Sequence, residues 1–537
     1  MRRALLLLLA ASVFCGCGRR ETRVEHGDRE QILHLANRTE PQDLDPHIVT
    51  GVPEHYILMS LLEGLVAEDP QDLHPVPGVA ERWDVSPEQT VYTFHLRRNA
   101  RWSNGDPVTA NDFVRSYRRI LAPTLAAQYA YMLFVMKNAE AFNTGKITDF
   151  SEVGVKAPDE FTVQITLNSP TPYFLSLLNH YSWHPVHIPT IERHGKLYEP
   201  GNRWTRPENW VGNGPFVLAE WKVNHVISVK KSPTYWDADK VRLKQINFHP
   251  IESSDTDERA FRSGQTHYCY ELPASKIEVY REKHPELLHI DPYLGVYFYM
   301  VNVTKPPLND KRVRRALALS IDRESIVKNV TKAGELPAYH FTPPGTAGYT
   351  ARARLKYDLV EAKKLLVEAG YPEGRGLPPV EILFNTLEAH RTIAEAIQQM
   401  WKQNLNIDAR LVNQEWKVFL DSQKTLNYLV SRYGWIGDYP DPNSFLDMWL
   451  TGGGNNKAGF SNAEYDRLIR EAGSAADESK RFEFFQKAEA ILMDEVPVIP
   501  IYFYTRPYGL ATSVKGWYPT ILNIHPYKHL WLEPAMQ

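Results

Sequence analysis

The chain has 537 residues, a formal net charge of −3, and 12% aromatic residues that include 28 Tyr and 13 Trp. This length supports several domains with a large core, and the nearly balanced charge gives no reason to expect a nucleic-acid partner. The aromatic content is typical of proteins with ligand pockets or interfaces.

The N-terminal residues predict export. Arg2 and Arg3 precede an apolar run at 4–14, which is too short to span a bilayer as a stable helix. Gly16 and Cys17 then resemble a bacterial lipoprotein box, in which the Cys is lipidated and becomes the mature N-terminus; an ordinary signal peptide cleaved nearby is the alternative. We therefore expect a signal peptide at 1–17 and a periplasmic or cell-envelope protein that is anchored to the membrane only through a lipid on Cys17.

The cysteine count excludes an intramolecular disulfide in the processed chain. Of the 3 Cys, Cys269 is the one that remains unmodified after processing at Cys17. A chain of this length can do without a disulfide because its core is large. Cys269 lies in a strand-like run between two Tyr, which indicates a packed thiol.

The first half of the chain is rich in predicted strands. Residues 18–30 are charged and are predicted to form a tether. A capping-box-like pattern, Thr109 with Asp112 three residues later, predicts a helix start. Hydrophobic alternation and apolar runs predict the remaining elements, which are strands at 31–36, 91–96, 160–167 and 227–229 and a helix at 56–66.

The second half alternates between helices and strands. The pattern predicts strands at 297–303, 381–384 and 496–504 and helices at 312–330, 358–369 and 391–405, with another helix opened by a capping box at 461–464. Pro497 and Pro500 predict an edge or crossing position for the last strand, because proline lacks the backbone donor that a central strand needs. This alternation predicts an α/β protein of several lobes.

Residues 432–438 pass from a predicted strand into a turn. The β-rich run at 428–433 is followed by turn-forming residues at 437–443. Asp438 therefore lies just past a strand end, three residues after Trp435 and close to Arg432. A carboxylate there can bind an ammonium group through charge-assisted hydrogen bonds. A surface turn with a capping Asp is the alternative.

Two other patterns could bind ions. The histidines of the run at 180–187 have the spacing of metal ligands, but Pro185 prevents a regular helix from presenting them on one face. The glycine-rich loop at 452–456 could bind an anion, but it lacks the Lys-Ser/Thr pair of a phosphate loop. We therefore predict neither a metal site nor a cofactor.

Enzyme activity is not predicted. Asp438 and Asp441 could in principle perform acid–base chemistry, yet no matching nucleophile and base accompany them. A peptide hydrolase remains only as an alternative hypothesis.

The order of short motifs along the chain resembles the periplasmic oligopeptide-binding proteins, which are family-5 extracellular solute-binding proteins of peptide ABC transporters. The resemblance covers about residues 31–530. The motifs that carry it are DPH at 45–47, GVPE at 51–54, FHLR at 94–97, WSNGDPVTA at 102–110, YWD at 235–237, FRSG at 261–264, NDKRVR at 309–314 and NQEWK at 413–417.

The resemblance implies a three-lobed periplasmic-binding-protein fold of the Venus-flytrap type, with mixed β-sheets flanked by helices. The first lobe is discontinuous and consists of residues 30–62, 190–294 and 506–537. The second, residues 63–189, extends the first, and the third, residues 295–505, closes over the ligand. An extended peptide would pair between the lobes as an extra strand, with its side chains in hydrated pockets. The protein, expected as a monomer, would deliver short peptides to ABC transporter permease subunits in the inner membrane.

The resemblance also implies a set of site residues. Asp438 corresponds to the carboxylate that holds the peptide α-ammonium, and His390 corresponds to a positive or donor group near the peptide C-terminus. Arg432 is implied to lie among the same residues around the peptide. Six further residues line the main-chain groove or form its walls: Gly434, Trp435 and Val52 line it, and Tyr129, Trp416 and Tyr504 form its walls.

Four positions depart from the family pattern. Thr50 and Met300 stand where the family has acidic residues, whereas Thr331 and Gln423 stand where it has basic ones. The change at Gln423 removes an arginine expected at the ligand carboxylate, so recognition of the peptide C-terminus is open. Lys332 and Lys424 directly follow Thr331 and Gln423 in the sequence, and they could replace the missing basic groups only if the backbone shifts. A murein (cell-wall) peptide is therefore the closest alternative ligand, followed by a nickel or haem cargo.

Overall fold

The computed structural model describes residues 21–475 and 477–534, without the side chains of Trp416 and Lys417. The signal peptide and the lipidation site at Cys17 lie outside the described residues. Within the described ranges, no helix is both long and apolar enough to cross a membrane.

The strands alternate with helices along the whole chain. In chain order the strands are β1 (Ile32–Ala36), β2 (Val66–Glu68), β3 (Pro75–Pro77), β4 (Ala80–Val85), β5 (Val91–Leu96), β6 (Val155–Asp159), β7 (Thr162–Thr166), β8 (Phe216–Lys222), β9 (Val226–Lys231), β10 (Gln245–His249), β11 (Tyr268–Cys269), β12 (Leu288–Val301), β13 (Leu336–Pro337), β14 (Val380–Asn385), β15 (Ala409–Gln414), β16 (Val430–Ile436), β17 (Val498–Leu510), β18 (Val514–Lys515) and β19 (Trp531–Leu532).

The helices range from single turns to 18 residues. They are α1 (Arg23–Glu30), α2 (Val52–Leu61), α3 (Ala110–Leu121), α4 (Ala139–Asn143), α5 (Phe174–Leu177), α6 (Ile188–His194), α7 (Ser254–Arg262), α8 (Ala274–Lys283), α9 (Lys311–Leu319), α10 (Arg323–Ser325), α11 (Leu359–Glu368), α12 (Glu388–Leu405), α13 (Trp416–Lys424), α14 (Asn443–Leu446), α15 (Ala463–Ser474) and α16 (Glu478–Glu495).

One mixed sheet of 11 strands organises the molecule. Its strand order is β15-β14-β16-β12-β17-β11-β1-β10-β9-β8, and β13 pairs separately with β17. A second, four-stranded sheet has the order β4-β5-β7-β6 and is antiparallel. The predicted α/β class, with mixed sheets flanked by helices, is confirmed.

The buried apolar side chains form three large clusters. The first consists mainly of residues between 294 and 503. The second combines residues at 33–62, 181–270 and 508–532. The third consists of residues at 65–183, together with Tyr439 from the turn after β16. Strands β12 and β17 pair along nearly their whole lengths and connect the first cluster to the second.

The segment predicted as a tether is instead helical from Arg23 to Glu30. Thr22 and Glu25 form a reciprocal capping box, which supplies hydrogen bonds to the otherwise free first turn of α1. The helix is held against the main sheet, since Asp28 lies 3.2 Å from the buried His267. The charged composition suggested a solvated segment. A helix forms instead because Thr22 and Glu25 cap its first turn, which composition alone does not reveal.

The helix predicted at 312–330 is interrupted. Helix α9 ends at Leu319, and the chain continues through α10 into a π-helical segment at Ile326–Thr331. Asp322 starts the second part, because its side chain accepts a hydrogen bond from the backbone nitrogen of Ser325 at 3.0 Å. Among the other boundaries that differ, α2 lies at Val52–Leu61 rather than 56–66, β12 begins at Leu288 rather than at 297, and Asn462, not Ser461, is the N-cap of α15.

Of the edge or crossing position predicted for the last apolar strand, the edge is wrong, whereas β17 does cross from the first cluster to the second. β17 lies between β12 and β11 in the centre of the large sheet. Pro500 is accommodated at a register shift opposite Tyr297 and Phe298, where the regular hydrogen-bond ladder is interrupted. Its carbonyl also accepts a hydrogen bond from Nε of the buried Arg323 at 2.6 Å.

Candidate functional site

A cavity of about 800 Å³ lies between the first and third clusters. Residues at 128–140 and 173–177 form one side, and residues at 435–455 form the other. A volume of this order is typical of small-ligand sites, which are mostly apolar with a few placed polar groups. The glycine-rich loop at 452–456 contributes Gly453, Gly454 and Asn455 to this lining.

A smaller cavity of about 120 Å³ adjoins the larger one. It is lined by residues at 50–56 and 180–181, which include Tyr56 and Tyr181 of the second cluster, and by Leu522, Ile524 and residues at 436–438 on the side of the first. Thr50, Tyr129 and Asp438 line both cavities. Asp438 therefore lies where parts of all three clusters meet.

The turn after β16 fixes the position of Asp438. Its backbone nitrogen donates to Oγ of Ser444 at 2.9 Å, and Trp435 Nε1 donates to the carbonyl oxygen of Ser444 at 2.6 Å. Burial raises the pKa of the Asp438 carboxyl to about 7. No cation of the described chain forms an ion pair with this carboxylate. Asp441 differs, because Arg481 binds it at 2.5 and 2.8 Å in a buried pair.

Strand β16 presents a free edge next to Asp438. On one side β16 pairs with β12 from Val430 to Ile436. On the other side β14 pairs only with Val430 and Ser431. Among the described strands, none pairs with this edge at 432–436. The Arg432 carbonyl accepts from Gln423 Nε2 at 3.0 Å, and the other backbone groups of the edge can accept an additional strand.

Gly434 lies in the middle of this free edge, opposite Tyr297 of β12. A Cβ atom on Gly434 would lie 2.5 Å from the Tyr504 hydroxyl oxygen and 3.4 Å from Arg432 Nη2. A side chain there would displace Tyr504, so this close approach requires glycine.

Arg432 lies among tyrosines rather than carboxylates. Its Nη2 donates to the Tyr504 hydroxyl at 3.2 Å, and its guanidinium carbon lies 4.8 Å from the ring centre of Tyr297. Nη1 makes a long contact of 3.4 Å with Oδ1 of Asn385, and Nε is buried without a partner among the described residues. The charge therefore has donor capacity left for an anionic group.

His390 lies on the same face of the sheet. Its Nδ1 is 3.3 Å from the Tyr297 hydroxyl. Burial, and then the positive charge of Arg432, lower the pKa of His390 to about 2. The imidazole is thus neutral at ordinary pH, and of the two roles predicted for it, a positive or a donor group, only the neutral donor is consistent with this environment.

The four positions that depart from the family pattern lie in different environments. Thr50 lines both cavities, whereas Met300 is fully buried in the first cluster. Thr331 donates to Oε2 of Glu335 at 2.8 Å. Gln423 is also fully buried, lines neither cavity, and donates from Nε2 to Oγ of Ser431 at 2.9 Å and to the carbonyl of Arg432 at 3.0 Å.

The remaining predicted site residues fall into two groups. Tyr129 and Trp435 line the larger cavity, and Val52, the first residue of α2, lines the smaller one with 39% of its surface exposed. The side chain of Trp416 lies outside the described residues. Two of the histidines with metal-like spacing have separate partners, since His180 contacts Ser182 and His187 contacts Thr190 and Asp106. Nδ1 of the third, His184, is buried without a partner among the described residues.

Asp447 also lines the larger cavity, and no pattern in the sequence predicted it as a site residue. Asn443, at the start of α14, donates to Oδ2 of Asp447 at 3.2 Å, four residues along the helix. Burial, and then the charge of Asp438, raise the pKa of the Asp447 carboxyl to about 8. The helical spacing from Asn443 was the one signal in the sequence, and it did not indicate a cavity.

A contact across the cleft was also missed. Tyr439, from the turn after β16, stacks on Tyr173 of the third cluster with ring centres 4.9 Å apart. Nδ2 of Asn443 donates to the Tyr173 hydroxyl at 3.3 Å. These three residues, which we call the cross-cleft contact, close one side of the larger cavity.

Comparisons with known proteins agree with the geometry. Residues 74–457 match the family described as bacterial extracellular solute-binding proteins, family 5 Middle. The chain is 38% identical over 517 residues to the periplasmic oligopeptide-binding protein OppA of Salmonella typhimurium, covering 94% of this chain and 92% of that protein.

Two solved structures share the fold. The murein tripeptide-binding protein MppA of Escherichia coli superposes with a TM-score of 0.82 at 35% identity, covering 93% of this chain and 98% of that one. Haemophilus influenzae OppA in complex with RPPGFSPFR gives a TM-score of 0.81 at 35% identity, covering 94% and 99%. These similarities confirm the fold that the motif order predicted.

Proposed function

Because the chain belongs to the bacterial extracellular solute-binding proteins of family 5, we propose that it captures short peptides and delivers them to an ABC transporter permease in the inner membrane. The observation that carries this proposal is the free edge of β16, which runs beside a cavity of about 800 Å³ and ends at Asp438. An unpaired strand edge binds any extended peptide through main-chain hydrogen bonds.

The peptide adds to β16 as a further strand along residues 432–436. Its α-ammonium binds Asp438, which has no cation of its own among the described residues, so a charge-assisted hydrogen bond forms there. Since Asp438 follows the C-terminal end of β16, a peptide that starts at Asp438 and lies along the free edge runs antiparallel to β16. Its carboxylate then points towards Arg432 and the neutral His390.

The other predicted residues contact the peptide, form the pocket wall or position Arg432. Val52 and Tyr129 contact the peptide near its ammonium end, and Trp435 forms part of the pocket wall. Tyr504 holds the guanidinium of Arg432 in place. Trp416 completes the wall as the resemblance implies.

Gln423 acts indirectly. It holds the carbonyl of Arg432 and the hydroxyl of Ser431, at the point where β14 stops pairing with β16. Because the Gln423 amide is already engaged by Ser431 and Arg432, carboxylate recognition depends on Arg432, whose Nε has no partner among the described residues.

Binding occurs by closure of three lobes, with boundaries at 30–62, 190–294 and 506–537 for the first, 63–189 for the second, and 295–505 for the third. The three clusters of buried side chains follow these boundaries closely. The hinge lies where β12 and β17 pass from one cluster to the other, at the register irregularity between Pro292 and Val296.

The protein acts outside the cytoplasm and binds without turnover. Its relatives are named as periplasmic binding proteins, and the N-terminal sequence supports a lipid anchor on Cys17. Replacing Cys17 by Ser should release the protein from membranes, and mass spectrometry of the intact protein should show loss of the lipid mass. Unchanged mass and membrane association in the Cys17→Ser variant would contradict the anchor.

Native mass spectrometry of gently purified protein tests the peptide proposal. We expect short peptides to be co-purified, and the protein stripped with denaturant and refolded should rebind Ala-Ala-Ala in a calorimetric titration. The same tripeptide should be recovered intact after long incubation. Failure to bind tripeptides, or binding only of the murein tripeptide, a metal ion or haem, would contradict the proposal; cleavage of the tripeptide would contradict the absence of turnover.

A further inference from the structure

The larger cavity has more carboxyl groups, and so more potential negative charge, than one ammonium group requires. Asp438 and Asp447 both line it with half-buried side chains, and the exposed Glu140 lies at its margin. Among the described residues that line this cavity, none is Lys, Arg or His. Asp441 does not add to this charge, because Arg481 neutralises it in a buried ion pair.

Asp447 is held in place without being neutralised. Its Oδ2 accepts a hydrogen bond from the uncharged amide of Asn443 at 3.2 Å, and no cation of the described chain forms an ion pair with it. Burial, followed by the charge of Asp438, disfavours the ionised form and raises the pKa of Asp447. A cation that reaches Asp447 removes this penalty, since an opposite charge nearby stabilises the ionised carboxylate.

The walls of the cavity suit a long side chain that ends in a cation. Tyr129, Tyr131, Tyr173, Trp435 and Tyr439 all line it. Aromatic faces attract ammonium and guanidinium groups, and they also cover the aliphatic stems of Lys and Arg. A neutral or acidic side chain would make neither the ionic nor the cation–π contact.

We propose, on the basis of the function proposed above, that Asp447 is a specificity-determining residue and that the site prefers peptides whose first residue is Lys or Arg. The α-ammonium of that residue binds Asp438, and its side-chain cation extends along the aromatic walls to Asp447. Both carboxylates line the same cavity, so one residue with two positive charges satisfies both.

The position of the basic residue follows from strand geometry. Successive side chains of an extended peptide point to opposite faces, so the second residue points away from the side that the first one faces. A basic second residue therefore does not replace a basic first one. A free diamine carries the same two charges, but it has no peptide backbone to pair with the edge of β16.

The test compares Lys-Ala-Ala with norleucine-Ala-Ala, because norleucine keeps the aliphatic stem and lacks the charge. In calorimetric titrations of the stripped protein, we expect Lys-Ala-Ala to bind about tenfold more tightly, as one added charge-assisted hydrogen bond provides. Asp447→Asn should abolish this difference. Asp421→Asn, which removes an exposed charge on α13 outside both cavities, should preserve it.

Several results would overturn the proposal. Equal affinities of the wild-type protein for Lys-Ala-Ala and norleucine-Ala-Ala would do so without requiring any variant to fold. A preference that persists in Asp447→Asn would exclude Asp447 as its source. Ala-Lys-Ala binding as tightly as Lys-Ala-Ala would refute the assigned position, and 1,5-diaminopentane binding as tightly would refute the peptide class. Failure of all the tripeptides would instead reject the proposed function itself.

Discussion

Replacing Asp438 by Asn isolates the charge of the proposed ammonium anchor. Asn has nearly the same size, and its backbone nitrogen can still donate to Ser444 Oγ. At pH 7.5, above the pKa of about 7, most of the ligand-free protein carries the ionised Asp438. A hydrogen bond to a charged group contributes about 1.5–3 kcal/mol. A loss of about 2 kcal/mol corresponds to an increase of roughly 30-fold in the Kd.

Calorimetric titration with Ala-Ala-Ala and with N-acetyl-Ala-Ala-Ala measures this loss. The acetylated peptide has no α-ammonium, so Asp438→Asn should weaken only the binding of the free peptide. Asp421→Asn serves as a control, because it removes the same charge at an exposed position of α13. The assigned role of Asp438 is refuted if the variant weakens both peptides equally, or if it weakens neither.

Three further predictions concern pH, packing and closure. Because burial raises the pKa of Asp438 to about 7, peptide affinity in calorimetric titrations should fall about tenfold per pH unit below pH 7. The peptide amine stays protonated in that range, so Asp438 is the group that titrates. An equally steep fall of affinity in the Asp438→Asn variant would contradict this. Gln423→Ala should lower the free energy of unfolding by about 1–3 kcal/mol in urea titrations, because it leaves the Arg432 carbonyl without its buried donor, and an unchanged midpoint would argue against that role. Tyr173→Ala should increase the radius of gyration of the ligand-free protein in small-angle scattering, because it removes an aromatic contact with Tyr439 that contributes about 0.5–1.5 kcal/mol. Tyr173→Phe keeps the ring, so its radius of gyration should not increase. Equal radii of gyration for the two variants would contradict a closing role.

The order of the motifs along the sequence was enough to predict the fold, and one local pattern was enough to predict the position of Asp438. Turn-forming residues after a β-rich run placed Asp438 just past a strand end, and the structure has β16 ending at Ile436. Local chemistry also predicted the cap at Thr109 and a helix that starts at Asp358. These features depend on neighbours within a few residues, so a sequence pattern is enough to predict them.

Other features depend on distant parts of the chain. The central position of β17 contradicts the prediction from Pro500, and it becomes possible only where a register shift between β17 and β12 and the buried Arg323 accommodate this proline. The free edge of β16 arises because β14 pairs with only its first two residues. Asp447 reaches the cavity through the fold of the turn after β16. No periodicity in a single segment contains this information.

The free edge of β16 also limits which molecules can bind at all. In most soluble proteins an exposed, unpaired strand edge promotes aggregation, because it can pair with edges of other proteins. Here the edge at 432–436 reaches the two cavities at Trp435 and Ile436, and Tyr173 and Tyr439 meet across the opening. A folded protein is too bulky to reach this edge, whereas a short unfolded chain can. The same enclosure that protects the protein from sticking to its neighbours therefore acts as a size filter on its cargo.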